Sequence, residues 1–194
     1  LDQVKQFGRY LDVDGDGICY RTLPGTHPTK GSFFTRGTSR DEFARYTEEG
    51  DVYVRNMERL QKKWETAKGL VPGPVIRKAG AGVSRGVVYF GTTKFSADEA
   101  LDILAAEGLV FDVMQIRSFP FHADVKNFME SHDELFVIEQ NRDGQMRTLL
   151  INELEIAPSR IHSVVNYDGM PITADTIAAG IRKNMNRVTT VTAS

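Results

Sequence analysis

The chain predicts an α/β domain with a largely parallel sheet, preceded by a loop-rich segment that carries one long helix. Three observations predict it. Beyond residue 86, short apolar runs bounded by glycine or polar residues alternate with helical patterns. Across 71–85 the chain is rich in proline, glycine and small residues, with little to pack into a core. Before that stretch, only residues 51–69 show a helical period.

Residues 1–50 carry turn punctuation in place of periodicity, at Asp14-Gly15-Asp16-Gly17, Pro24-Gly25 and Lys30-Gly31. From Asp51, the positions Tyr53, Met57, Leu60, Trp64 and Ala67 recur at spacings of four and three, which aligns them on one helical face in need of a partner surface. The other face holds Arg55, Glu58, Arg59, Lys62, Lys63 and Glu65 and reads as solvated. Val71-Pro72-Gly73-Pro74 stops this helix near Gly69, so the expected division is 1–70, a linker at 71–85, and a second domain at 86–194.

In that second domain, strands are expected at 87–90, 109–116, 135–139 and 161–165. Ser96-Ala97-Asp98-Glu99 matches a capping box, which predicts a helix with Ser96 as its N-cap and Gly108 as its close. A second helix is expected at 123–131, burying Val125, Phe128 and Met129. A third carries Met146, Leu149, Leu150 and Leu154 and ends before Pro158. The last begins after Thr173 as N-cap, with Ile172 and Ile177 placed as a hydrophobic staple.

With 194 residues, 41% hydrophobic content and 24 Lys+Arg against 26 Asp+Glu, the chain has no charge excess to draw nucleic acid or anionic lipid. No apolar run approaches the roughly 20 residues of a membrane span. Cys19 is the only cysteine, which excludes an intrachain disulfide and leaves far short the roughly four thiolates of an iron–sulfur cluster. This composition predicts a cytoplasmic setting, and a start at Leu1 suggests a piece of something longer.

Asp12-Val-Asp14-Gly-Asp16-Gly17 matches the first half of a calcium loop, but Leu23 stands where a bidentate glutamate is required, so an acidic turn without metal is the better reading. Gly80-Ala-Gly82 precedes a strand and is no dinucleotide fingerprint. Gly91-Thr92-Thr93, between a strand and a helix, could hold an anion. The histidines His27, His122, His132 and His162 are scattered and form no metal-binding pair.

The stretch Tyr10-Leu-Asp-Val-Asp-Gly-Asp-Gly-Ile-Cys-Tyr-Arg-Thr-Leu-Pro-Gly25, followed by Phe34-Thr-Arg-Gly-Thr-Ser-Arg-Asp-Glu42, resembles the alpha subunit of 2-oxoacid:ferredoxin oxidoreductases. Gly91-Thr-Thr-Lys, Pro120-Phe and Glu139-Gln-Asn-Arg-Asp-Gly-Gln145 extend the resemblance to the C-terminal portion of that subunit, with the 2-oxoglutarate branch nearest. One departure is Arg40, where relatives tend to carry histidine.

The resemblance implies that 1–70 is the tail of a thiamine-diphosphate-binding domain and that 86–194 is a three-layer α/β/α domain like the C-terminal domain of transketolase. It implies an enzyme that converts a 2-oxoacid and coenzyme A to acyl-CoA and reduces ferredoxin, using thiamine diphosphate, magnesium and a [4Fe-4S] cluster. This portion would bind none of those cofactors and would be inactive alone. Its partners would be the beta subunit and the N-terminal part of the alpha subunit, with ferredoxin as electron acceptor and neither nucleic acid nor membrane. Arg21 is the implied substrate contact, with Thr29 and Lys30 beside it, because a guanidinium can grip a carboxylate through two parallel hydrogen bonds. Asn141, Gly144 and Gln145 are expected at an interface between subunits or domains. Two alternatives stay open: the C-terminal domain of a transketolase or of a 2-oxoacid dehydrogenase beta subunit, and a non-enzymatic calcium-binding or interaction module built on Asp12–Gly17.

Overall fold

The computed structural model describes residues 1–33 and 39–192, so 34–38 of the second resembling stretch lie outside the described residues. The chain divides into two compact units, Leu1–Leu70 and Val71–Ser194.

In the first unit, α1 (Gly50–Leu70) is the one helix among the described residues, and the rest is turns held by side chains. The apolar stripe of α1 is not its packed face. Tyr53, Met57, Leu60 and Trp64 are 37–49% exposed and only Ala67 of the stripe is half-buried, beside Val52, Asn56, Arg59, Lys63, Thr66 and Lys68 as the more covered positions. Of the charged face expected in solvent, Arg59 and Lys63 are half-buried toward the unit's own loop, while Arg55, Glu58, Lys62 and Glu65 are exposed as expected. Gly17 explains how: at φ +81° it lies so close to α1 that a Cβ would come within 2.3 Å of the Lys63 amide nitrogen. Arg59 Nη1 then donates to the Gly17 carbonyl at 3.1 Å, and the Thr66 hydroxyl donates to the Asp16 carbonyl. Hydrophobic periodicity marks which face is apolar, not which face a polar loop will cover.

The second unit is a five-stranded sheet in the order β1-β3-β2-β4-β5, built from β1 (Val75–Arg77), β2 (Arg85–Phe90), β3 (Asp112–Ile116), β4 (Glu134–Glu139) and β5 (Ile161–Val165). All neighbours run parallel except β1, which pairs antiparallel with β3 through Ile76 opposite Met114. Val87, Tyr89, Phe136 and Ile138 point to the face covered by α2 (Lys94–Ala106) and α5 (Ala174–Thr192). Val88, Met114, Leu135 and Val137 point to the face covered by α3 (Ala123–Glu130) and α4 (Gln145–Leu154). Both faces of the central strands are therefore buried, which is why β2 and β4 read as continuous apolar runs instead of alternating ones.

The α/β class, the parallel sheet and its three layers are as expected, and three details differ. The stretch read as a linker at 71–85 contains β1. All its residues are exposed, so it has no apolar signature and is held by backbone pairing at the sheet edge. The helix expected to start at Ser96 starts at Lys94 without a side-chain cap, since a 3-10 turn over Gly91–Thr93 feeds directly into it. Lys94 pairs with Asp98 at 2.7 Å one turn on, which stabilises that first turn in place of the capping box. Finally, β3 starts at Asp112 and not at 109, because Gly108 closes α2 at φ +78° and Leu109 is still hydrogen-bonded to the Leu104 carbonyl.

The remaining helix signals agree with the fold. Thr173 Oγ1 accepts the Thr176 amide at 3.2 Å, and Ile172 and Ile177 are both buried. Gly144 sits at φ +61° just before α4, a left-handed position that favours glycine.

Candidate anion pocket and the switch point of the sheet

A cavity of about 970 Å³ lies in the first unit. Its described lining includes the cations Lys5, Arg9, Lys30, Arg40 and Arg45, the aromatics Phe7, Phe33, Phe43 and Tyr46, and the hydroxyls of Thr22 and Thr29, with no carboxylate among the described lining residues. A concave site of one charge sign focuses field lines and draws an opposite charge.

Local turns build the walls. His27 Nδ1 accepts the amides of Thr29 and Lys30 at 3.1 and 3.0 Å, closing the turn that carries both residues. Gly31 follows where a Cβ would come within 2.9 Å of the His27 backbone. On the opposite wall Asp41 Oδ1 accepts the amides of Phe43 and Arg45 at 2.9 and 2.8 Å, and Ala44 takes φ +67° between them. The Tyr46 hydroxyl donates to Glu48, which holds its pKa above the ordinary phenol value.

Thr29 and Lys30 both line this cavity. The Lys30 ammonium is already engaged, donating to the carbonyls of Leu1 at 2.9 Å and Val4 at 2.7 Å, so most of its donor capacity ties the first residues to the wall. Arg21 is exposed and is not among the lining residues. Arg9 is the cation the sequence reading passed over. Its guanidinium carbon lies 3.4 Å from the centre of the Phe33 ring, and Nη1 donates to the carbonyl and hydroxyl of the buried Thr22 at 3.2 and 3.4 Å. Arg9 and Thr22 are 13 residues apart, and no periodic pattern links them.

Asp12, Asp14 and Asp16 bring carboxylate oxygens within 4.8 Å of one another. Both Asp12 oxygens accept amides of the same turn, from Gly15 at 2.9 Å and Gly17 at 3.0 Å, and Asp16 accepts from Ile18 at 2.7 Å. Those bonds fold the turn that docks on α1.

In the second unit the chain leaves β2 toward one face and β4 toward the other, so the two strands flank a topological switch point, the place where open α/β sheets commonly hold ligands. Here Gln140 spans the gap: Nε2 donates to Thr93 Oγ1 at 3.2 Å and Oε1 accepts the Ile172 amide at 3.2 Å. Of the Gly91-Thr92-Thr93 anion candidate, the buried Thr93 hydroxyl is thus occupied by a neighbouring side chain. Glu139 is fully buried and accepts from the Met146 and Arg147 amides at 2.7 and 2.9 Å, capping α4. Asn141 donates to Glu139 at 2.9 Å and accepts the Gln145 amide at 3.3 Å. Gly144 is buried, Asn141 is half-buried and Gln145 is exposed.

The chain thus carries a doubly wound α/β domain together with a loop-built cationic pocket suited to an organic anion. It is similar to the alpha subunits of 2-oxoacid:ferredoxin oxidoreductases. Subunit alpha of 2-oxoacid:ferredoxin oxidoreductase 2 from Aeropyrum pernix is 26% identical over 187 residues, covering 94% of this chain and 28% of that one. The fold matches that of the 2-oxoglutarate:ferredoxin oxidoreductase from Magnetococcus marinus, solved with 2-oxoglutarate, coenzyme A and succinyl-CoA bound, with a TM-score of 0.80 at 20% identity, over 94% of this chain and 31% of that one. An inactive beta4 tetramer of a split-gene transketolase aligns at a TM-score of 0.46 and 20% identity, over 56% of this chain and 41% of that one. No protein-family model matches the chain. The chain spans under a third of the length of the first two proteins. No described helix is long and apolar enough to cross a membrane.

Proposed function

We propose that the chain is part of the alpha subunit of a thiamine-diphosphate-dependent oxidoreductase that converts a 2-oxoacid, 2-oxoglutarate by preference, to its acyl-CoA and reduces ferredoxin. The observation that carries this reading is the cationic pocket of the first unit, whose described lining has no carboxylate, in a chain similar to such subunits over 94% of its length. A substrate with two carboxylates matches a cavity that offers several cations and no competing negative charge. Thr29 and Lys30 line the pocket. Arg21, on the turn that leads into buried Thr22, is exposed and lies outside the described lining.

The cofactors would be held elsewhere in the enzyme. A [4Fe-4S] cluster takes about four thiolates, and this chain offers Cys19 alone, whose thiol burial pushes above its ordinary pKa. The Asp12 and Asp16 carboxylates have a structural task in this reading, accepting the backbone amides of their own turn. The contribution of this chain is therefore to bind and orient a carboxylate and, through Asn141 and Gln145 at the carboxyl edge of the sheet, to contact the rest of the alpha subunit or a beta subunit. Gly144 would support that contact by shaping the turn. The test is kcat/KM for 2-oxoglutarate and pyruvate in the complete oxidoreductase assembled with this chain, with ferredoxin as acceptor. Arg45→Ala is expected to lower the value for 2-oxoglutarate more than that for pyruvate. Equal effects on both substrates would remove the dicarboxylate preference, and no ferredoxin reduction by any 2-oxoacid would remove the reading.

A further inference from the structure

The geometry points to Arg9 as the residue that grips a carboxylate in this pocket and sets its preference for planar carboxylates over other anions. The inference rests on the reading of the pocket as a 2-oxoacid site, and it assigns that task to Arg9 in place of Arg21.

A guanidinium binds a carboxylate well when one edge carrying two N–H donors is free and the group is already held still. Arg9 meets both conditions. Nη1 is engaged by the carbonyl and hydroxyl of Thr22, and one face of the group lies on Phe33 at 3.4 Å. Thr22 is itself anchored, 4% exposed and with its hydroxyl 3.4 Å from the Gly31 carbonyl. The edge formed by Nε and Nη2 has no partner among the described residues, and Arg9 lines the cavity. That edge is the side-on fork whose two parallel N–H bonds match the two oxygens of a carboxylate.

Lys5, Lys30 and Arg45 are less suited. Lys30 has two of its donors on backbone carbonyls, and Lys5 is exposed and offers a point charge on a flexible stem. Arg45 lies 5.8 Å from the Phe43 ring, a looser hold than that on Arg9. Arg21 is exposed, with no hydrogen bond or ion pair to any described residue, and would lose its full side-chain freedom on binding.

The experiment titrates the 194-residue chain with 2-oxoglutarate, with glutarate as a dicarboxylate lacking the oxo group, and with sulfate as a tetrahedral dianion. It follows heat of binding and the arginine Nε–Hε resonances by NMR. In the unmodified chain the Arg9 resonance is expected to shift with both dicarboxylates and little with sulfate, while that of Arg21 stays in place; Arg9→Lys and Arg21→Lys assign the two signals. Arg9→Lys, which keeps the charge, should weaken dicarboxylate binding about 10- to 100-fold. Arg21→Ala should change it less than about threefold. Thermal melting of each variant controls for folding, and the resonance shift in the unmodified chain remains decisive if Arg9→Lys melts early. Binding of dicarboxylates with a silent Arg9 resonance, or undiminished by Arg9→Lys, overturns the fork while leaving the 2-oxoacid reading in place. Arg9-dependent binding of glutarate equal to that of 2-oxoglutarate supports the fork and counts against a site selective for oxoacids. No binding of any carboxylate overturns both.

Discussion

His132 Nε2 lies 3.1 Å from Asp112 Oδ2 in the second unit, with the two residues 1% and 2% exposed. The same carboxylate oxygen is 2.8 Å from Lys78 Nζ, and its other oxygen accepts the Ala79 amide at 2.8 Å. His132 Nδ1 lies 2.7 Å from the Phe128 carbonyl. The start of β3, the end of α3 and the turn after β1 are thus tied to one carboxylate.

Burial pushes the Asp112 carboxyl up, but Lys78, the Ala79 amide and His132 together pull harder and hold it below the usual carboxylate range. A carboxyl with a depressed folded-state pKa adds stability above its unfolded value and loses it as pH falls through the folded value. Asp112→Asn should therefore cost about 3 kcal/mol at neutral pH, near the lower end for breaking a buried pair, because the amide can still accept from Ala79. The parent should lose stability below about pH 4 more steeply than the variant. Urea melts from pH 7 to pH 3 measure both, and parallel pH dependences would refute the assignment.

His162 behaves in the opposite chemical sense. Burial pushes its pKa down, Arg147 adds to that, and Glu134, 3.8 Å away, opposes them. A histidine held neutral in the fold loses stability as pH falls below its unfolded value of about 6.5. His162→Gln should flatten the fall in unfolding free energy between pH 7.5 and 5.5, a slope readable by guanidinium titration at the two pH values.

Glu139 caps α4 from the end of β4 with both carboxylate oxygens. Glu139→Gln keeps the shape but places an NH2 group against a backbone amide, which leaves a buried donor unsatisfied at a cost of about 1–3 kcal/mol. Gly144→Val should also destabilise, since the left-handed φ of +61° disfavours a branched side chain and a Cβ would lie 3.2 Å from Ser163 Oγ. Calorimetric melting of the second-unit transition is the measurement. An unchanged Tm for both variants would show that the turn is not held as described.

On α1 the two faces should respond in reverse of their hydrophobicity. Gly17→Ala forces a methyl into the Lys62–Lys63 backbone at a left-handed position and should destabilise the first unit by about 1–3 kcal/mol. Leu60→Gln, on the exposed apolar stripe, should stay within about 0.5 kcal/mol. Proteolysis of the first unit under native conditions ranks the two variants, and a larger effect of Leu60→Gln would place the packed face on the wrong side.

Local chemistry settles much of this protein from sequence alone. The alternation of apolar runs with capped helices determines an α/β domain, because β2 and β4 are buried on both faces and α3, α4 and α5 each bury a stripe set by their own period. Gly108, Gly144 and Thr173 announce helix ends because each acts on backbone groups within a few residues. The motifs between Tyr10 and Gln145 carry the resemblance to the 2-oxoacid:ferredoxin oxidoreductase alpha subunits for the same reason: they are contiguous strings.

What only the tertiary structure decided involves partners distant in the chain. β1 is three exposed residues whose sole structural reason is the free edge of β3 nearly forty positions later. The covered face of α1 is chosen by Gly17, which fits where a side chain would not, and not by the apolar stripe. In the pocket, the sequence directs attention to Arg21 as the arginine inside the resembling motif, but Arg9 is the one held by Phe33 and Thr22. A cation's value for binding depends on which of its donors are already engaged and on how much freedom it has left to lose, and both are set by neighbours that no local pattern names.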